Sequence, residues 1–211
     1  MSFILNNFLK IKSDILKFSS KTNLIVVCKN QSIDVIRPII DEGHLHFGEN
    51  KVQEAKKKWQ LLIQQKNDLK LHMIGRLQVN KAKDAVALFD YIHSLDSIRL
   101  ANALSLHEMR LKKQCKYFIQ INFENETQKG GVLEKDLHDL YSSSQALNLN
   151  VIGLMCIPPK DQDAKYYFEK LENLGKKFNL NLHSIGMSGD YIKALECNSS
   201  FVRIGSAIFS N

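Results

Sequence analysis

The feature that most limits what this chain can fold into is an unbroken alternation of short apolar segments with longer amphipathic ones. Eight segments have strand composition: residues 24–28, 45–47, 71–74, 91–95, 115–122, 151–155, 182–185 and 201–204. Most are continuous apolar runs, as strands covered on both faces are. The gaps between them carry apolar residues at the helical period. Val52, Ala55, Trp59 and Leu62 form one stripe, Val79, Ala82, Val86 and Phe89 another, and Ala164, Tyr167, Phe168, Leu171, Leu174 and Phe178 the longest. Leu100, Leu104, His107 and Leu111, then Leu137, Leu140, Ser144 and Leu147, complete the set. Ile4, Phe8, Ile11, Ile15 and Phe18 predict a helix ahead of the first strand. The stretch 32–43 is helical in pattern, and Pro38 within it predicts a late start or a kink. A short α unit over 190–197 closes the series. Eight strands separated by helices predict an α/β fold, a closed (β/α)8 (TIM) barrel rather than an open doubly wound sheet. With no linker rich in Pro, Ser or Gly, residues 1–211 read as a single domain.

Composition narrows the function classes. No apolar run approaches the roughly 20 residues that span a bilayer, and Lys10, Lys12 and Asp14 interrupt any secretory h-region. The expectation is a cytoplasmic protein. Cys28, Cys115, Cys156 and Cys197 are far apart and form no CxxC pair, which predicts four buried thiols. The net charge of +7 attracts polyanions. The basic residues are scattered, however, and the run Lys56-Lys57-Lys58 reads as a solvated helix face rather than a nucleic-acid groove. GxGxxG, Walker A, HExxH and GxSxG are all missing from the sequence.

A barrel gathers its chemistry at the C-terminal ends of its strands. The first strand ends in Val26-Val27-Cys28-Lys29, which directs an amine toward the barrel mouth. Desolvation there would make it a nucleophile toward an aldehyde; the alternative is a lysine that snorkels to solvent. The seventh strand runs into Gly186-Met187-Ser188-Gly189-Asp190, and the eighth into Arg203-Ile204-Gly205-Ser206-Ala207. Glycine and hydroxyl at those two places suit a phosphate clamp better than turn geometry alone. Arg203, flanked by β-branched residues, needs a buried acceptor, a carboxylate partner or a ligand atom. Asn50 follows the second strand as a helix cap or a site residue. His72 reads as a structural histidine, and His44 and His46 have no third ligand that would indicate a metal.

Taken in order, these pieces resemble the pyridoxal phosphate homeostasis proteins, which share the barrel of alanine racemase. The matching stretches are Val26-Val27-Cys28-Lys29, Phe47-Gly48-Glu49-Asn50-Lys51-Val52-Gln53-Glu54, and His72-Met73-Ile74-Gly75-Arg76-Leu77-Gln78-Val79-Asn80-Lys81. Gly153-Leu154-Met155-Cys156-Ile157-Pro158 and the two glycine loops complete the match across the chain. The resemblance implies that Lys29 forms a Schiff base with pyridoxal 5′-phosphate (PLP). It also implies that Ser188, Gly189, Gly205 and Ser206 lie at the phosphate, that Arg203 faces the pyridine nitrogen, and that Asn50 lies near the cofactor. Four positions depart from the family's pattern: Cys28 replaces a serine, Met73 a phenylalanine, Ser206 a threonine and Asn198 a glycine. Asparagine is the next most tolerant residue of a left-handed turn.

The expected function is therefore intracellular PLP homeostasis, with the cofactor held on Lys29 and no committed reaction. PLP-dependent apoenzymes are the expected recipients, and the protein is expected to be a monomer without a specific nucleic-acid or membrane partner. The alternative is an amino-acid racemase. Racemisation needs a base on each face of the substrate carbon, and alanine racemases draw one from a second domain. The sequence reaches Asn211 directly after the last strand's loop, so no such domain is expected.

Overall fold

The structure, a computed structural model, describes residues 3–126 and 129–210, so the expected domain bounds of 1–211 reach past it at both ends. Helix α1 (Phe3–Phe18) precedes β1 (Asn23–Val27), and the alternation then runs α2 (Ile33–Asp41), β2 (His46–Glu49), α3 (Val52–Gln65) and β3 (Lys70–Met73). It continues with α4 (Ala82–Leu88), β4 (Tyr91–Leu95), α5 (Ile98–Leu111), β5 (Lys116–Ile121), α6 (Leu137–Ala146) and β6 (Asn150–Cys156). Helix α7 (Ala164–Lys177), β7 (Leu182–Ser184), α8 (Tyr191–Glu196), β8 (Phe201–Ile204) and α9 (Ser206–Phe209) complete it. The strands close in sequence order into a parallel barrel, β8 returning to β1 through Leu24↔Val202 and Ile25↔Arg203.

Successive strand residues face opposite sides, and this period of two divides the core. Leu24, Val26 and Cys28 join the apolar layer between barrel and helices, while Ile25 packs inside with Phe118, Met155 and Phe201. The helical stripes bury as expected, with Val52, Ala55, Trp59 and Leu62 of α3 all turned inward. All four cysteines are free and buried. Asn198, in place of the family's glycine, takes the left-handed conformation at φ +54°.

The structure departs from the sequence reading in two places and adds one element. Helix α2 has no late start: it begins at Ile33 and continues through Pro38. The donor that Pro38 lacks would have paired with the carbonyl of Asp34, an exposed residue of the first turn, where water can take its place. Lys58 is not on the solvated face with Lys56 and Lys57: its side chain is only 9% exposed and pairs with Glu49. The short α9 after β8 was not apparent in the sequence, since four residues carry too little periodicity to register.

Candidate functional site at the C-terminal rim

Lys29 lies just past β1 in a β-turn closed by the Gln31 amide on the Cys28 carbonyl at 3.1 Å. It is exposed, as the snorkelling alternative has it, and the surrounding protein does not desolvate it. Asn30, the next residue of the turn, has φ +61°, a conformation asparagine tolerates. The Cys28 amide donates to the Gly48 carbonyl at 2.9 Å, which keeps β1 and β2 in register up to the turn.

The flanking strands bring the other predicted residues to the same rim. A Cβ on Gly205 would lie 3.0 Å from the Val27 carbonyl oxygen, so the exit of β8 packs directly on the end of β1. The Ala207 amide donates to Ser188 Oγ at 3.2 Å and ties the β7 and β8 loops together. Gly186 turns the β7 exit with φ +92°. A side chain on Gly189 would meet no atom within 4 Å, so no neighbour in the protein requires glycine there. At the end of β2, Asn50 Oδ1 is buried and has no hydrogen-bond partner among the described residues. The rim thus combines an amine, an orphaned acceptor and two glycine loops, of which the one at Gly189 is open. Beside it, a cleft of about 1060 Å³ opens between the first turns of α3 and α5 and is lined by Asn50, Arg76, Lys81, Asp96 and Arg99 among others.

Arg203 is buried, and the protein itself supplies it with buried acceptors. Nη1 donates to the Ser184 carbonyl at 2.5 Å and to Ser184 Oγ at 2.7 Å, and Nη2 to the Cys156 carbonyl at 3.1 Å. Burial lowers its pKa to about 10, leaving it a cation at neutral pH. From Ser184 a chain of buried groups crosses the barrel interior. Ser184 Oγ lies 2.8 Å from His93 Nδ1, His93 Nε2 2.9 Å from His72 Nδ1, and His72 Nε2 2.9 Å from His46 Nδ1. Burial lowers the pKa of all three rings, strongly for His72 and His93, which keeps those two neutral. His72 stacks on Tyr91 and His93 on Phe118, with ring centroids 4.3 and 4.5 Å apart.

The guanidinium sets the direction of this chain. It can only donate, so Ser184 Oγ accepts from it and sends its one proton to His93 Nδ1. His93 and His72 must then each carry the proton on Nε2 and pass it toward the next ring. The reverse order would leave the buried Ser184 hydroxyl proton without an acceptor among these groups. Long-range ¹H–¹⁵N NMR near neutral pH should show His72 and His93 as Nε2–H tautomers; an Nδ1–H or doubly protonated ring would contradict the assignment.

Sequence reasoning missed Ser184, His93, Glu49 and Lys58. His93 sits at the third position of an apolar strand, with parity that points it inward, which was the available signal. Ser184 and Lys58 gave none, because their partners come from other elements. Among the described residues there is no cluster of three or more His, Cys, Asp or Glu that could hold a metal ion.

Fold and rim together define a (β/α)8 barrel of the alanine racemase N-terminal domain class, and the chain belongs to that family, whose sequence profile matches residues 4–211. More particularly, it is 34% identical over 201 residues to the pyridoxal phosphate homeostasis protein of Pasteurella multocida, covering 90% of this chain and 86% of that one. It is 36% identical over 196 residues to the protein of the same name from Aquifex aeolicus, covering 88% and 85%. Among solved structures, PipY of Synechococcus elongatus without PLP superposes with a TM-score of 0.90 at 31% identity, over 98% of this chain and all of that one. PipY with PLP bound superposes at 0.88. An alanine racemase of Clostridium difficile, 13% identical, shares the fold at a TM-score of 0.75 and extends well beyond the match, which covers 57% of it.

Proposed function

We propose that this protein binds pyridoxal 5′-phosphate on Lys29 and serves intracellular PLP homeostasis as a carrier, without a committed reaction of its own. The observation that carries the reading is the contiguous rim over β7, β8, β1 and β2, which places two glycine loops, a lysine and an unpaired buried acceptor side by side. The Lys29 amine would hold the cofactor, whose aldehyde would supply a covalent linkage that hydrolysis or a second amine could reverse. Ser188, Gly189, Gly205 and Ser206 hold the phosphate in this reading. The open surroundings of Gly189 support it, since a glycine that no protein neighbour demands leaves its backbone free for close approach by an anion. Asn50 Oδ1 offers an acceptor at the same rim.

Arg203 is the residue assigned to the pyridine nitrogen. Its guanidinium offers only donors and a positive charge, so it does not stabilise a proton on that nitrogen as a carboxylate does. The ring is then a poor electron sink, which suits holding over turnover. Its three bonds to Ser184 and Cys156 fix it against the β6 and β7 backbone, so its orientation owes nothing to a mobile partner.

The whole chain acts as one unit in this reading, as a monomer, in the cytoplasm, with PLP-dependent apoenzymes as recipients. No helix among the described residues is long and apolar enough to cross a membrane. Titrating the purified protein with PLP tests the reading. The expected result is a saturable absorption change at one equivalent, weakened by added inorganic phosphate, with no steady conversion of L-alanine to D-alanine. A spectrum that never saturates rejects the binding, and sustained racemisation rejects the carrier.

A further inference from the structure

The turn that bears Lys29 is gripped from both sides by one face of helix α3. Lys58 Nζ donates to the Cys28 carbonyl at 2.6 Å, and Glu54 Oε1 accepts from the Asn30 amide at 2.8 Å. These are the carbonyl of the peptide unit before Lys29 and the N–H of the unit after it. The two gripping side chains are one helical turn apart, with Lys58 Nζ 3.8 Å from Glu54 Oε1. Lys58 is fastened in turn to Glu49 Oε1 at 2.8 Å, and the same oxygen accepts from the indole of Trp59 at 2.8 Å. Glu49 and Trp59 are fully buried, so the anchor is set in the core between β2 and α3.

Satisfying the backbone does not by itself account for this arrangement. The Cys28 carbonyl already accepts from the Gln31 amide, and Asn30 is exposed where water can serve its N–H. Nor is a buried ion pair a general means of gaining stability, because the desolvation it suffers offsets most of its attraction. What the cluster does provide is geometry: it holds both peptide planes that meet at the Lys29 Cα.

We propose that Glu54 and Lys58, anchored through Glu49 and Trp59, are positioning residues that fix the direction in which Lys29 leaves the backbone. The proposal rests on Lys29 being the cofactor lysine and assigns a purpose to the two glutamates of the Phe47–Glu54 stretch, which the cofactor site leaves unexplained. A preorganised lysine loses less freedom when it forms its linkage, and a one-ångström misplacement is enough to slow such a step.

The test compares wild type with Glu54→Ala and Glu54→Gln. Glu54 is the better handle because it is partly exposed, whereas removing Lys58 strands the buried Glu49. Losing a charge-assisted bond of this kind should slow formation of the Lys29 linkage, followed by absorbance after mixing with PLP, by about tenfold. Exchange of the Asn30 amide with deuterium, read by NMR without cofactor, should speed up by about the same factor. Glu54→Gln keeps an acceptor and should recover most of both. If Glu54→Ala matches wild type in linkage rate and in Asn30 exchange, the positioning role is overturned while Lys29 stands. If borohydride fixes the cofactor to a different lysine in wild type, Lys29 itself is rejected and there is no lysine left to position.

Discussion

The Lys29→Ala protein is expected to fold normally and to form no adduct with PLP that borohydride can fix. Lys29 is exposed, in a turn closed by backbone bonds and gripped by α3 through atoms that alanine retains. The change in folding free energy should therefore stay within about 0.5 kcal/mol, as for most surface substitutions. The chemical effect is all-or-none, because alanine removes the amine on which the proposed linkage depends. Weak reversible binding should persist, since the loops at Ser188 and Gly205 are untouched. A urea unfolding curve beside an absorption spectrum before and after reduction measures both halves. A variant that stays yellow and reducible contradicts the assignment; one that unfolds contradicts the account of the turn.

Acidification from pH 7 to pH 5 should weaken the fold, with about 2 kcal/mol of the loss coming from His44. Burial lowers the pKa of five histidines, His44 to about 4, His72 and His93 well below the usual value, and His46 and His183 in the same direction. Below a pKa near 6.5 the unfolded chain takes up protons that these rings refuse when folded, so stability is full above that value and falls as the pH drops through this range. A ring that stays neutral in the folded protein down to pH 5 contributes a loss of roughly 2 kcal/mol over this range. Glu49, Asp96 and Glu108, whose carboxyls burial raises, act in the opposite direction and cancel part of it. Urea midpoints at the two pH values decide the matter. Equal midpoints would contradict a net loss of stability from these buried histidines.

The barrel was legible because its signals are local. Each strand is an apolar run of a few residues, each helix a stripe at period 3.6, and the strand order follows the chain, so no long-range pairing had to be guessed. Strand limits shifted by a residue or so: Leu45 proved exposed outside β2, and β5 lies inside the 115–122 range. The rim was legible for the same reason, since Lys29, Ser188 and Gly205 each follow the end of a strand. What the sequence hid are contacts between elements. Lys58 looked like one of three solvated lysines until α3 was packed on β1 and β2, where its ammonium meets Glu49. His46, His72 and His93 lie more than twenty residues apart from one another and form a chain only once the barrel closes. Arg203 left three alternatives open because its acceptors, the carbonyls of Ser184 and Cys156 and the Ser184 hydroxyl, lie on other strands, which no residue pattern announces. The exposure of Lys29 matches the snorkelling alternative, because strand apolarity describes the residues before the turn and not the solvent beyond it.

The most direct test of the central claim is a mass-spectrometric peptide map of the wild-type protein after PLP loading and borohydride reduction. A phosphopyridoxyl group on the peptide containing Lys29, in near-stoichiometric amount, is the predicted result. The same group on Lys51, Lys58 or scattered over surface lysines would contradict it.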